Sequence, residues 1–162
     1  LAHGASGVDL GELISHQISP FSDLEDGRVT LTGPPLRLNT QAAQILGMAI
    51  HELATNAVKH GALAQADGTL SIGWGRRGDR LEVLWREHVR DMPSRPERRG
   101  FGTVVLENIV GSALGANVSR TLHADGLECR LEIPLEAIDP AGAPQPTPGA
   151  AALERAQREN VI

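Results

Sequence analysis

Glu52, Asn56 and Lys59 recur at i, i+4 and i+7 within His51-Glu52-Leu53-Ala54-Thr55-Asn56-Ala57-Val58-Lys59-His60. On a helix of 3.6 residues per turn that spacing lines them up as one polar stripe. The carboxylate can position or deprotonate a water or hydroxyl. The amide offers a neutral oxygen to a hard cation such as Mg²⁺. Lys59, the only lysine in the chain, can meet a phosphate as a point charge. The same stretch begins like the zinc-protease pattern HExxH, but Thr55 stands where the second histidine is required. On residue types alone, the triplet is equally the solvated face of an amphipathic helix.

Two further groups carry chemical potential. Arg98-Arg99-Gly100-Phe101-Gly102-Thr103 opens a helical pattern; glycines let backbone N–H groups approach a phosphate, and a helix N-terminus favours negative charge. It is neither a Walker A loop, since no Gly-Lys-Ser/Thr exists, nor the G-x-G-x-x-G dinucleotide fingerprint. Trp85-Arg86-Glu87 ends an alternating segment, and by residue type reads as a core tryptophan followed by two charges.

The elements that must position these groups follow from periodicity. Leu10, Leu13, Ile14 and Ile18 fall at helical spacing after Asp9, a suitable N-cap. Val29 and Leu31 alternate with polar residues up to Gly33-Pro34-Pro35, and Leu36 and Leu38 continue briefly. From Asn39 or Thr40 the period turns helical to about His60, with Leu46, Ala49, Ile50, Leu53, Ala54 and Ala57 on one apolar face and Gly61 as a C′ residue. Leu70–Trp74 and Leu81–Trp85 alternate about Arg76-Arg77-Gly78-Asp79, a hairpin. Residues 88–99 hold two prolines and four arginines with no period, which predicts a long loop over the site. A helix through Val104, Val105, Ile109, Val110 and Leu114 stops at Gly115, and two strands close the pattern, 118–122 and 127–135. Helices set apart from mostly antiparallel strands predict a two-layer α/β sandwich.

Composition narrows the function. The 162 residues carry a net charge of −5 with only two Phe, two Trp and no Tyr, a poor base-stacking platform for nucleic acid. Cys129 is the single cysteine, so an internal disulfide framework and a multi-cysteine zinc site are excluded. No apolar run approaches the ~18 residues of a membrane span. The expected division is a residual helix from an upstream domain over 1–22, a catalytic domain over 23–138 and a Pro/Ala/Gly-rich tail over 139–162 with a short terminal helix.

In this order and spacing, HELATNAVKHGAL, then W-x-E ending a strand, then RRGFGT opening a helix strongly resemble the ATP-binding domain of HWE-type sensor histidine kinases. That family is named for the N-box histidine and the W-x-E residues, here His51, Trp85 and Glu87. The resemblance covers residues 9–135, including VTLTGPPLRLNTQAAQILGMAIHEL before the N box and G-L-x-x-x-L-x-I-P-L from Gly126 to Leu135. It implies a Bergerat (GHKL-type) ATP pocket between the N-box helix and a mixed sheet. By that match Glu52 is the catalytic carboxylate, Asn56 the Mg²⁺ ligand and Lys59 a phosphate contact. Glu87 accepts a hydrogen bond from the adenine amine, and Gly100, Gly102 and Thr103 form the glycine-rich box. His51, His60, Trp85, Arg99 and Phe101 complete the nucleotide site. The reaction implied is transfer of the γ-phosphoryl group of Mg-ATP to a histidine.

Two departures stand out. The family follows W-x-E with x-Gly-Gly-Pro, where this chain has His88-Val89-Arg90-Asp91. The acceptor histidine belongs to a dimerisation domain that precedes this one in the family, and none of His3, His16, His51, His60, His88 or His123 sits in a matching context. The expected partners are therefore ATP, that upstream domain and a response regulator, in the cytoplasm, with no nucleic acid and no direct membrane contact. Two other classes share the fold: a degenerate nucleotide-binding or docking module, and a GHKL ATPase or serine kinase, against which His51 and Trp85 argue.

Overall fold

The computed structural model describes residues 7–22, 26–90 and 101–141, and gives residues 101–106 as helical backbone only. Arg99 and Gly100, with most of the 88–99 loop, lie outside the described residues, as do 1–6 and 142–162 of the expected flanking segments.

Asp9 ends a two-residue strand, β1 (Val8–Asp9), and caps α1 (Leu10–Ile18) by accepting a hydrogen bond from the Glu12 amide at 3.0 Å. Leu10, Ile14 and Ile18 are buried at the spacing the sequence predicts. After β2 (Val29–Thr32), the short strand β3 (Arg37–Leu38) pairs antiparallel with β1. The long helix α2 (Thr40–His60) is capped by Asn39 rather than Thr40. The Asn39 carboxamide accepts from the Ala42 amide at 2.8 Å and donates to the Ala137 carbonyl at 2.9 Å. One side chain thus starts the helix and ties it to the far end of the chain.

Strands β4 (Thr69–Arg77) and β5 (Arg80–His88) form the expected hairpin. Its two-residue turn takes Gly78 to φ +62°, a conformation open to glycine. Helix α3 (Phe101–Leu114) ends at Gly115, also at φ +62°. Strands β6 (Asn117–His123) and β7 (Gly126–Pro134) follow, and Leu135 opens the short helix α4 (Leu135–Ile138) instead of prolonging its strand. His88, expected in the loop, is the last residue of β5, paired with Thr69 and Gly126.

The five-stranded sheet runs β2-β4-β5-β7-β6 and is antiparallel except where β2 lies parallel to β4. Parallel neighbours need a long crossover, here provided by β3 and α2. Helices α1, α2 and α3 cover one face. Leu70, Ile72, Leu81, Val83, Trp85, Cys129, Leu131 and Ile133 pack against Leu46, Ile50, Leu53, Val110 and Leu114 in a single core. The opposite face carries ion pairs, Arg77 to Glu82 at 3.1 Å and Arg86 to Glu128 at 3.9 Å among them. This is the two-layer sandwich that the pattern predicts.

Candidate functional site

Helix α2 carries the stripe read from the sequence, and its phase decides what each residue meets. Leu46, Ala49, Ile50, Leu53, Ala54 and Ala57 are all buried against the sheet. Glu52 and Asn56 are half-buried at the border of that face, while Lys59, His51 and His60 are exposed. Glu52 stands where α2 and α3 meet. On one side it lines a groove of about 750 Å³ with Leu13, Gln17, Met48, His51 and Ile109. On the other it lines a cavity of about 30 Å³ whose floor is Val118, Cys129 and Leu131 and whose far wall is Glu107 and Val110. A carboxylate between an open groove and a small apolar cavity can reach a ligand without being surrounded by water.

The His51 ring, on the same groove, lies 5.4 Å from that of Phe21 at 60°. Phe101, Gly102 and Thr103 fall in the first turn of α3, so backbone N–H groups not used within the helix are available there.

The W-x-E segment is the second part of the candidate site. Trp85 and Glu87 are two residues apart on β5, so both point to the helix-covered face. Trp85 is 0% exposed and Glu87 only 3%. The indole Nε1 of Trp85 donates to Glu87 Oε2 at 2.9 Å, and the Ala62 amide donates to Glu87 Oε1 at 3.0 Å. Among the described residues no cation pairs with this carboxylate. A buried carboxylate without a cation is costly unless hydrogen bonds satisfy it, and two N–H donors leave lone pairs on both oxygens for a further donor.

The backbone explains how Glu87 comes so near to α2. Gly61 follows the helix with φ −118°, not the left-handed C′ geometry that its position suggests. Its glycine is required by proximity: a Cβ there would stand 2.0 Å from Glu87 Oε1 and 3.1 Å from the Ala57 Cα. Gly126, at φ +148°, closes the other side, where a Cβ would meet the Glu87 carbonyl oxygen at 1.7 Å. The structure thus brings Trp85 and Glu87 to the C-terminal end of α2, one to two turns beyond Asn56 and Glu52.

Sequence reasoning missed Gly61 as a contact, the Ala62 donor and Gly126. A backbone amide has no residue signature, and Gly61 is legible only as a helix end. The departure after Glu87 has a structural form. Strand pairing continues through His88, the buried Val89 donates its amide to the Asp125 carbonyl at 2.8 Å, and Arg90 Nε lies 3.8 Å from Asp67 Oδ2. Cys129, beneath Glu52, is held neutral by burial, which pushes its thiol up to about 12.

No family model matches the chain. It is 36% identical over 135 residues to a blue-light-activated histidine kinase of Rhizobium johnstonii, covering 82% of this chain and 38% of that protein. It is 33% identical over 132 residues to blue-light-activated histidine kinase 1 of Erythrobacter litoralis, covering 79% and 36%. The chain therefore spans little more than a third of the length of these curated relatives. Among solved structures, the histidine kinase domain of Erythrobacter litoralis EL346 superposes with a TM-score of 0.63 at 21% identity, over 79% of this chain and 62% of that one. The catalytic domain of histidine kinase ThkA superposes at 0.58 and 15% identity, over 78% and 94%.

Proposed function

We propose that this chain, which belongs to the HWE-type histidine kinase catalytic domains, binds Mg-ATP across α2 and passes the γ-phosphoryl group to a histidine on a separate dimerisation domain. The observation that carries the nucleotide reading is Glu87: a buried carboxylate, fixed by two N–H donors and left with acceptor capacity. An amino group on a purine matches that capacity, whereas a ring carbonyl would face a carboxylate oxygen.

The α2 stripe supplies the other end. Asn56 presents a half-buried amide that fits a hard cation, and Lys59 reaches a phosphate from the exposed side of the last turn. Mg²⁺ bound there would neutralise phosphate charge as it develops. In the transfer the acceptor imidazole nitrogen forms the new N–P bond while the bond to the leaving oxygen of ADP breaks. Glu52 orients that imidazole through its second ring N–H and takes the proton. By the family match Gly100, Gly102 and Thr103 form the glycine-rich box for the phosphates, with Arg99 and Phe101 next to them in sequence. His51, His60 and Trp85 frame the site.

The whole-protein reading is a sensor kinase with a response regulator as its onward partner. One structural neighbour of this fold, ThkA, was solved in complex with its response regulator TrrA, with a TM-score of 0.60 over 80% of this chain. The division proposed is a remnant of an upstream domain over 1–22, the catalytic domain over 23–138 and a tail over 139–162. Among the described residues no helix is long and apolar enough to cross a membrane; the cytoplasm is the proposed location, because the proposed reaction consumes ATP.

A second reading, a degenerate nucleotide or docking module, draws on one observation: Val89 and Arg90 stand where the family has glycines, directly after β5 pairs through His88. Equilibrium binding of ATP with and without Mg²⁺ separates the two. Asn56→Ala is expected to remove the Mg²⁺-dependent part of the affinity while leaving the helical circular dichroism unchanged, because a helix accepts alanine readily. An unaltered Mg²⁺ dependence would take the metal away from Asn56.

A further inference from the structure

Between the end of α2 and the start of β4, residues 61–68 fold back on themselves. The Ala64 amide donates to the Gly61 carbonyl at 3.1 Å, the Gln65 amide to the Ala62 carbonyl at 3.3 Å and the Gly68 amide to the Gln65 carbonyl at 3.2 Å. The loop is so tight that a Cβ on Gly68 would stand 1.9 Å from the Ala62 carbonyl oxygen. Three of its carbonyls converge on one side chain. Arg28, the residue before β2, donates from Nε to Gly68 at 3.2 Å and from Nη2 to Gln65 at 2.5 Å and Ala62 at 3.4 Å. Its own backbone is pinned on both sides. The Arg28 amide donates to Asp26 Oδ1 at 2.9 Å, and its carbonyl accepts from the Leu70 amide at 2.8 Å.

We propose that Arg28 is a positioning residue for the base end of the site, acting through Ala62 on Glu87. Ala62 is fully buried and held at both of its polar atoms. Its carbonyl meets the Arg28 guanidinium, and its amide is the donor that fixes Glu87 Oε1. Converging carbonyl dipoles repel one another unless a donor lies between them, and hydrogen bonds from a charged donor are stronger than neutral ones. A planar guanidinium has the spread to bond three carbonyls at once from two nitrogens; an ammonium is a compact point charge that does not. Without Arg28 the 61–68 loop loses the group that holds it closed. The Ala62 amide then no longer presents at one angle, and Glu87 keeps only the Trp85 indole.

This inference rests on the reading of Glu87 as the base acceptor. It adds that selectivity for the base, rather than affinity for the triphosphate, depends on a residue remote from the ligand. Because Lys59 and Asn56 lie on α2 and not on the loop, the phosphate end should be indifferent to Arg28.

The test uses the full chain carrying Trp74→Phe, which leaves Trp85 as the only indole, and reads Mg-ATP and Mg-GTP affinity together with indole emission. Arg28→Ala is expected to weaken ATP binding about tenfold, to leave GTP binding within about twofold and to shift the Trp85 emission. Arg28→Lys should fall between, and is read by the same criteria if the alanine variant does not fold. ATP affinity retained in Arg28→Ala by a protein that prefers ATP to GTP would end the positioning role and leave the base reading intact. Equal losses for ATP and GTP would also end it, because they mark general loosening. A parent protein with no preference for ATP would overturn the base reading and this inference together.

Discussion

The two ends of α2 solve different problems. At its C-terminal end, Glu87 is 3% exposed, fixed by the Trp85 indole and the Ala62 amide, and closed in by Gly61 and Gly126. One to two turns earlier, Asn56 and Glu52 are half-buried, Glu52 beside a groove of about 750 Å³. The first region is held by hydrogen bonds within the chain itself. The second offers side chains on one helix face. On the proposed reading, recognition of a flat base rewards a rigid acceptor, whereas transfer between domains needs an approach from outside.

Predictions that would break or sharpen this contrast start with the open end. Glu52→Gln, assayed with an acceptor domain supplied in trans, is expected to lower the rate of phosphoryl transfer by about 10²–10⁴-fold with ATP affinity nearly unchanged. A rate within a few fold of wild type would move the catalytic carboxylate elsewhere.

At the closed end the loss should appear in binding and stability together. Gly61→Ala places a Cβ 2.0 Å from Glu87 Oε1, so the carboxylate or the strand must shift. Overpacking of this kind costs about 1–3 kcal/mol, read as a lower denaturation midpoint, with ATP affinity falling alongside. If Gly61 were only a helix stop, alanine at φ −118° would cost far less. Trp85→Phe keeps the ring in the core and removes one donor from a buried carboxylate, which should cost about 1–2 kcal/mol. A neutral result in urea unfolding would show that the indole hydrogen bond does not hold Glu87.

The smallest effect concerns the floor beneath Glu52. Burial raises the Cys129 thiol from 9.0 to about 12, so between those values the folded protein binds a proton that the unfolded chain releases. Stability from this source is complete below pH 9 and falls as the pH rises through the window up to about 12. Urea midpoints at pH 8 and pH 10 should show about 1 kcal/mol of extra loss in the wild type relative to Cys129→Ala. Equal slopes would mean that the thiol is solvated in the folded state.

Much of the frame was legible because it is local. The Asp9 and Asn39 caps, the apolar face of α2, the Gly78 turn and the Gly115 stop each depend on a residue and its near neighbours, and periodicity shows them directly. The alternation that put Trp85 and Glu87 on one face of a strand is equally local. The strand continuing through His88 and the helix starting at Leu135 were not legible, since they depend on pairing with Gly126 and on packing after Pro134.

By itself, then, the amino-acid order determined the elements, the stripe of Glu52, Asn56 and Lys59, and the three groups whose order and spacing resemble a kinase family. Only the tertiary structure decided that β2 lies parallel to β4, that Gly61 is a contact and not a left-handed cap, and that Arg28, Ala62 and Glu87 form one chain of hydrogen bonds. The reason is physical. Caps and faces are set within a few residues along the chain, whereas a backbone amide acquires its role from whichever acceptor the sheet carries to it, here a carboxylate 25 residues further along.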